Sequence, residues 1–60
     1  MNRLERLALK NQIKPTLILQ YLQEYGVISD NCWQLDHVVN EKEAHKFIIK
    51  EYGSFKKWMK

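Results

Sequence analysis

One cysteine and two histidines, Cys32, His37 and His45, are the only side chains in this chain that could supply a thiol or an imidazole. Cys32 and His37 could be drawn as a nucleophile and its base, but 60 residues leave little room for the dry, concave pocket that such a pair needs. A structural zinc site uses four ligands, and the spacing of these three residues matches no common zinc arrangement. We therefore expect no enzyme activity, no metal and no other cofactor.

Basic side chains are concentrated at the two ends of the chain. Residues 1–14 contain four basic residues and one acidic residue, residues 42–60 contain six lysines and two acidic residues, and residues 15–41 contain four acidic residues and no Lys or Arg. If both ends are helical, their basic residues form two ridges, which could neutralise phosphates. The solvated face of any amphipathic helix also carries lysines. The ridge residues, our candidates for nucleic-acid binding, are Arg3, Arg6, Lys10, Lys42, Lys46 and Lys50.

The two tryptophans lie in regions of opposite charge. Trp33 belongs to the acidic middle of the chain, whereas Trp58 lies among lysines near its end. Tryptophan is enriched at the energetic centres of protein interfaces, so both residues are candidates for contact with a partner. The alternative is that each ring fills the small core from a short segment.

Helix boundaries are well marked in this sequence. Two Asn–Glu pairs have the spacing of a capping box, Asn2 with Glu5 and Asn40 with Glu43. Gly26 and Gly53 each follow Glu-Tyr, where a helix would end in a left-handed residue, and Pro15 suits a first helical turn. These signals predict helices over 2–11, 15–25 and 40–52, with a short last turn from Ser54. The predicted fold is all-α, a small bundle of three to five short helices in a single domain, residues 1–60.

The segment 27–39 has two interpretations. Ser29 could cap a helix in which Cys32, Leu35 and Val39 share an apolar face, or Asp30 and Asn31 could form the loop of a hairpin. We favour the helix, because a lone hairpin packs poorly in so small a domain. Residues 21–35 would then resemble a helix-turn-helix, with Gly26 at the turn. However, the second helix would carry Asp30 and Asp36 and no basic residue, which disfavours contact with DNA phosphates.

The apolar arcs of the second helix and of the helix from Asn40 are wide. Each covers roughly 200° of the helix circumference, whereas a surface helix needs little more than about 100°. A chain of 60 residues has trouble covering two such arcs by itself. We therefore expect part of this apolar surface to be an interface, with another protein or with a second copy in a homodimer. Leu19 and Ile49 lie at the edges of the arcs.

These observations favour a non-enzymatic regulatory or inhibitory protein that acts by protein–protein binding, of the kind that phages and mobile elements encode. The interface candidates are Leu19, Ile49, Trp33 and Trp58. The alternative is a small DNA- or RNA-binding transcriptional regulator with a helix-turn-helix-like core and basic terminal helices. No apolar run exceeds three residues, which excludes a membrane span, and the single cysteine indicates a cytoplasmic protein.

Overall fold

Four α-helices and one 3₁₀ turn make up the fold in a computed structural model that describes residues 1–60. The helices are α1 (Arg3–Lys10), α2 (Pro15–Glu24), α3 (Glu41–Lys50) and α4 (Tyr52–Met59), and the 3₁₀ turn is Leu35–His37. There are no β-strands, so the predicted small all-α bundle is confirmed. None of the helices has the length and apolar character needed to cross a membrane.

The capping box that was predicted for α1 is present. The Asn2 side chain accepts a hydrogen bond from the Glu5 backbone N–H at 2.9 Å, and the Glu5 carboxylate accepts one from the Asn2 backbone N–H at 3.0 Å. The capping box predicted at α3 is wrong, because the side chain of Asn40 makes no cap hydrogen bond. Its backbone ψ of 59° departs from the extended conformation that a capping residue usually adopts.

The two Glu-Tyr-Gly sequences have different structures. Gly26 has a φ of +72° and ends α2 as predicted, with Val27 N–H donating to the Leu22 carbonyl at 2.9 Å. This is the bond pattern of a Schellman motif. The prediction that Gly53 ends a helix in the same way is wrong. Gly53 lies inside α4 without a positive φ, because α4 begins directly after Glu51.

The core draws on all four helices and on the 3₁₀ turn. Leu35, from the turn, is 3% exposed. The Tyr21 ring lies 5.0 Å from the Phe55 ring, centroid to centroid. Burial raises the pKa of the Tyr21 phenol, and the neighbouring Tyr25 adds to this effect. The largest side chains that are fully buried are Tyr21, Phe55, Leu4, Ile18, Leu22 and Ile48.

Residues 25–40, which we call the connecting segment, form neither the helix that we favoured nor the hairpin. Their only regular element is the 3₁₀ turn, so there is no second helix for a helix-turn-helix. A physical reason is that the Ser29 carbonyl closes only a single turn, by accepting from the Cys32 backbone N–H, and that the Gln23 side chain then donates to the carbonyls of both Ser29 and Cys32. The predicted apolar face is also wrong, because Val38 is buried instead of Val39.

Candidate functional site

The connecting segment is irregular, but it is fixed to the helices at two places. The Gln23 side chain of α2 donates hydrogen bonds to the carbonyls of Ser29, at 3.1 Å, and Cys32, at 2.9 Å. The Asn2 side chain donates to the Leu35 carbonyl at 2.6 Å, across 33 residues of sequence. Because Leu35 is also buried, the backbone is held on both sides of Trp33.

Trp33 itself points into solvent. It is 82% exposed, and Val39, at the far end of the same segment, is 93% exposed. Both residues line a groove of about 440 Å³ that lies entirely within the connecting segment. Exposed apolar residues that gather around a groove are typical of interaction sites. The apolar residues of this groove are Val27, Ile28, Cys32, Trp33, Val38 and Val39.

The surroundings of Trp33 are acidic. A second hollow, of about 260 Å³, is lined by Trp33 together with the acidic residues Glu5 and Asp36. Asp30 is exposed in the same segment, which contains no Lys or Arg. The His37 Nε2 atom lies 3.9 Å from an Asp36 carboxylate oxygen, and this contact is an ion pair only when the imidazole is protonated. We call Trp33, Val39, Asp36 and Glu5 the Trp33 surface.

The two predicted basic ridges lie on neighbouring helices that run in the same direction. At the start of both helices, the Arg3 backbone N–H donates to the Glu41 carboxylate at 3.1 Å. Towards their ends, Lys10 and Ile49 line one shallow hollow of about 280 Å³. The parallel arrangement brings Arg3 of the α1 ridge close to Lys42 and Lys46 of the α3 ridge, and the three residues line one hollow. We call these two ridges together the basic surface, and its members are Arg3, Arg6, Lys10, Lys42, Lys46 and Lys50.

Acidic neighbours offset only part of the basic surface. Arg3 lies 3.7 Å from the Glu41 carboxylate, and Lys46 lies 4.0 Å from that of Glu43. Both contacts are exposed, and such pairs contribute little to stability. A hollow of about 190 Å³ between the two helices is lined only by polar and charged side chains. These are Arg3, Lys42, His45 and Lys46.

The structure separates the four interface candidates. Trp33 and Ile49 are accessible, with Ile49 47% exposed. Leu19 is only 8% exposed, because it lies under the connecting segment and shares a hollow with Trp33. The expectation that Leu19 lies at an exposed edge is therefore wrong. Trp58 is half-buried against Tyr21, with ring centroids 5.3 Å apart, and its indole N–H donates to Glu24 at 2.7 Å.

The thiol and imidazole residues are dispersed. Cys32 and His37 both line the groove beside Trp33, but the Cys32 thiol donates to the Gln34 carbonyl at 3.2 Å. His45 lies in the hollow of the basic surface. No group of three or more His, Cys, Asp or Glu side chains is arranged to hold a metal ion.

Three residues that shape these surfaces have no signal in the sequence. Asn2 was predicted only as a helix cap, and nothing in its sequence context indicates its second contact, with Leu35. Gln23 has the appearance of an ordinary polar position on α2. Val39 fits the apolar face of the predicted helix, and its exposure follows from the irregular backbone.

Comparison with known protein families, curated proteins and solved structures found no match. Function is therefore inferred from the two surfaces.

Proposed function

We propose that this chain is a non-enzymatic regulatory or inhibitory protein of the cytoplasm, and that it binds another protein through the Trp33 surface. The observation behind this proposal is the combination of an 82% exposed tryptophan with a backbone that is fixed on both sides of it. Tryptophan is among the residues that contribute most to interface energy. An exposed ring therefore has a physical use when a partner covers it.

The hydrophobic effect gives the scale of the interaction. A tryptophan can bury about 150–250 Å² of surface, and at about 25 cal/mol per Å² this amounts to roughly 4–6 kcal/mol before the costs of association. Ordering a flexible loop would subtract from that figure. The hydrogen bonds from Gln23 and Asn2 reduce this cost, because they hold the segment before any partner arrives.

Charge indicates the kind of partner. Asp36 and Glu5 line a hollow together with Trp33, so a complementary partner presents Lys or Arg around an apolar pocket. The same carboxylates disfavour a homodimer through this surface. A two-fold interface would bring the acidic groups of both copies together, and like charges repel. A different, basic protein is therefore the partner that this surface fits.

Photo-crosslinking from a single position tests the proposal. A photoreactive amino acid replaces Gln34, which is exposed and next to Trp33, and a matched variant carries it at Gln20, which is exposed on α2. We expect an adduct from position 34 and none from position 20, with Lys or Arg at the captured surface. Trp33→Ala should weaken binding of that partner by about 30-fold, the equivalent of about 2 kcal/mol.

Trp33→Ala should leave the fold intact, because the ring is mostly exposed, and circular dichroism checks this. Three results would contradict the proposal. The first is equal capture from positions 34 and 20. The second is capture that persists in Trp33→Ala. The third is an adduct that consists of two copies of this chain.

A further inference from the structure

Positive charge on this molecule is arranged by the packing of α1 against α3. Helix α1 carries three basic residues and one acidic residue, and α3 carries three basic and two acidic residues. The connecting segment carries none of the chain's Lys or Arg. Because the two helices are parallel neighbours, Arg3 lines one hollow with Lys42 and Lys46, which are about 40 positions away in sequence. The Trp33 surface shares no residue with it.

The dimensions of the basic surface match a nucleic-acid duplex. A rise of 1.5 Å per residue makes each ridge about 10–12 Å long, and packed helices lie about 8–10 Å apart. A DNA duplex carries one negative charge per about 1.7 Å of its axis, so a length of 12 Å presents about seven phosphates. These phosphates belong to both strands and lie all round the duplex, so six basic side chains are enough for every phosphate on the side that faces the helix pair.

The acidic neighbours predict an order of importance within the basic surface. Arg3 and Lys46 each have a carboxylate within 4.0 Å, and binding a phosphate would require these ion pairs to break. The other four residues make no ion pair and are free to contact phosphates directly. These four are Arg6, Lys10, Lys42 and Lys50.

Two alternative ligands fit this surface less well. Proteins that bind single strands stack the bases on aromatic rings, but the hollow between the ridges has no aromatic lining. The nearest aromatic ring, that of Tyr52, already has the Lys56 ammonium 5.7 Å from its centroid. A helix that binds a membrane surface inserts its apolar face. Here Leu4 and Ile48 are fully buried in the core, and only two apolar side chains of these helices are exposed, Leu9 and Ile49, which offer a small apolar area for insertion.

We propose that the basic surface binds the sugar–phosphate backbone of a nucleic-acid duplex, without reading its sequence. This would be a second binding function, independent of the Trp33 surface. A chain with both surfaces would bring a basic protein partner and a duplex together. Sequence reading is not expected, because the two helices meet the duplex as a pair of charged ridges.

Fluorescence anisotropy with a labelled DNA duplex tests this proposal. We expect binding that weakens as salt is raised, with a slope of log affinity against log salt between about −3.5 and −5.5 for four to six phosphate contacts. Trp33→Ala should leave both the affinity and the slope unchanged. Failure of the Trp33 proposal is therefore distinguishable from failure of this one.

A pair of double variants separates local contact from overall charge. Lys42→Gln with Lys50→Gln removes two residues of the basic surface, whereas Lys57→Gln with Lys60→Gln removes the same charge from the exposed end of the chain. The first variant should bind the duplex at least tenfold more weakly near 0.1 M salt, with a slope about two units shallower. The second should retain the slope of the unmodified protein.

Four results would overturn the proposal. The first is the absence of binding to the duplex at about 50 mM salt, where phosphate contacts are strong. The second is an equal loss of affinity in both double variants. The third and fourth are tighter binding to a single strand, or to anionic lipid vesicles, than to the duplex. Circular dichroism of both variants ensures that a loss reflects removed contacts, since all four lysines are exposed and their replacement should preserve the fold.

Discussion

The connecting segment and the α1–α3 pair are both open to solvent, but they are stabilised in different ways. The helices are defined by bonds between residues close in sequence, such as the capping box of Asn2 and Glu5. The connecting segment is held by side chains from elsewhere, including an Asn2 contact that spans 33 residues. The difference shows that a rigid surface does not require regular secondary structure. It requires that the backbone polar groups and a few apolar side chains find fixed partners.

The two regions also differ in what they expose. Of its apolar side chains the helix pair exposes only Leu9 and Ile49, and most of its exposed side chains are long and charged, with positions that adapt to a ligand. The connecting segment presents a large ring on a backbone that is already fixed. We expect the affinity of the helix pair for its ligand to fall strongly as salt is raised. We expect the affinity of the connecting segment for its partner to depend mainly on one residue, Trp33.

The largest change in stability is expected at Leu35, the buried side chain that fixes the connecting segment to the core. Leu35→Ala should lower the free energy of unfolding by about 2–5 kcal/mol, as should Ile48→Ala in α3, because both side chains are almost fully buried. Urea unfolding followed by circular dichroism measures both. A domain of this size has little stability to lose, so the milder Leu35→Val and Ile48→Val provide a second comparison. A cost for the Leu35 variants far below that of the Ile48 variants would mean that the segment is only loosely attached.

The same difference explains how much of the structure could be predicted from the sequence. The starts and ends of α1 and α2 were predicted to within about two residues, because a capping box and a Schellman motif are local. The bounds of α3 also agree to within about two residues, although neither the capping box nor the glycine end that predicted them is present. The connecting segment was predicted incorrectly, since its backbone partners come from Asn2 and Gln23. Gly53 was also predicted incorrectly, because α4, which contains the fully buried Phe55, begins before it.

The candidate sites divide in a similar way. The six residues of the basic surface were named from helical spacing alone, whereas the proximity of Arg3 to Lys42 and Lys46 follows from tertiary packing. The two tryptophans could not be distinguished. Trp58 is half-buried because Glu24 and Tyr21 lie beside it, whereas Trp33 is exposed because the segment is held with the ring outside.

An intermediate effect is expected for the two predicted capping asparagines. Asn2→Ala should lower the free energy of unfolding by about 1–3 kcal/mol, because it removes both the helix cap and the hydrogen bond to Leu35. Asn40→Ala is the matched control. It should change stability by less than about 0.5 kcal/mol, since the Asn40 side chain makes no cap bond. Equal costs for the two variants would contradict the structure of the α3 start.

Asn2→Asp separates the two contacts of Asn2. A carboxylate can still accept the hydrogen bond from Glu5, but it cannot donate to the Leu35 carbonyl. We expect a cost between zero and that of Asn2→Ala, together with changes in the amide spectra of residues 33–37. If Asn2→Asp left both the stability and these spectra unchanged, the bond to Leu35 would not contribute to holding the segment.

The smallest changes in stability are expected at the glycines of the two Glu-Tyr-Gly sequences, and these changes should have opposite signs. Gly26→Ala should destabilise the fold by about 1 kcal/mol, because its φ of +72° is costly for any residue with a Cβ atom, although no other atom lies within 4 Å of that position. Gly53→Ala should stabilise the fold by about 0.5–1 kcal/mol, because Gly53 lies within a helix and also has open space. Thermal unfolding of both variants measures the difference. Since neither added Cβ atom would meet a neighbour, only the backbone conformation distinguishes the two sites. Changes in stability of the same sign would therefore mean that both Glu-Tyr-Gly sequences end their helices alike.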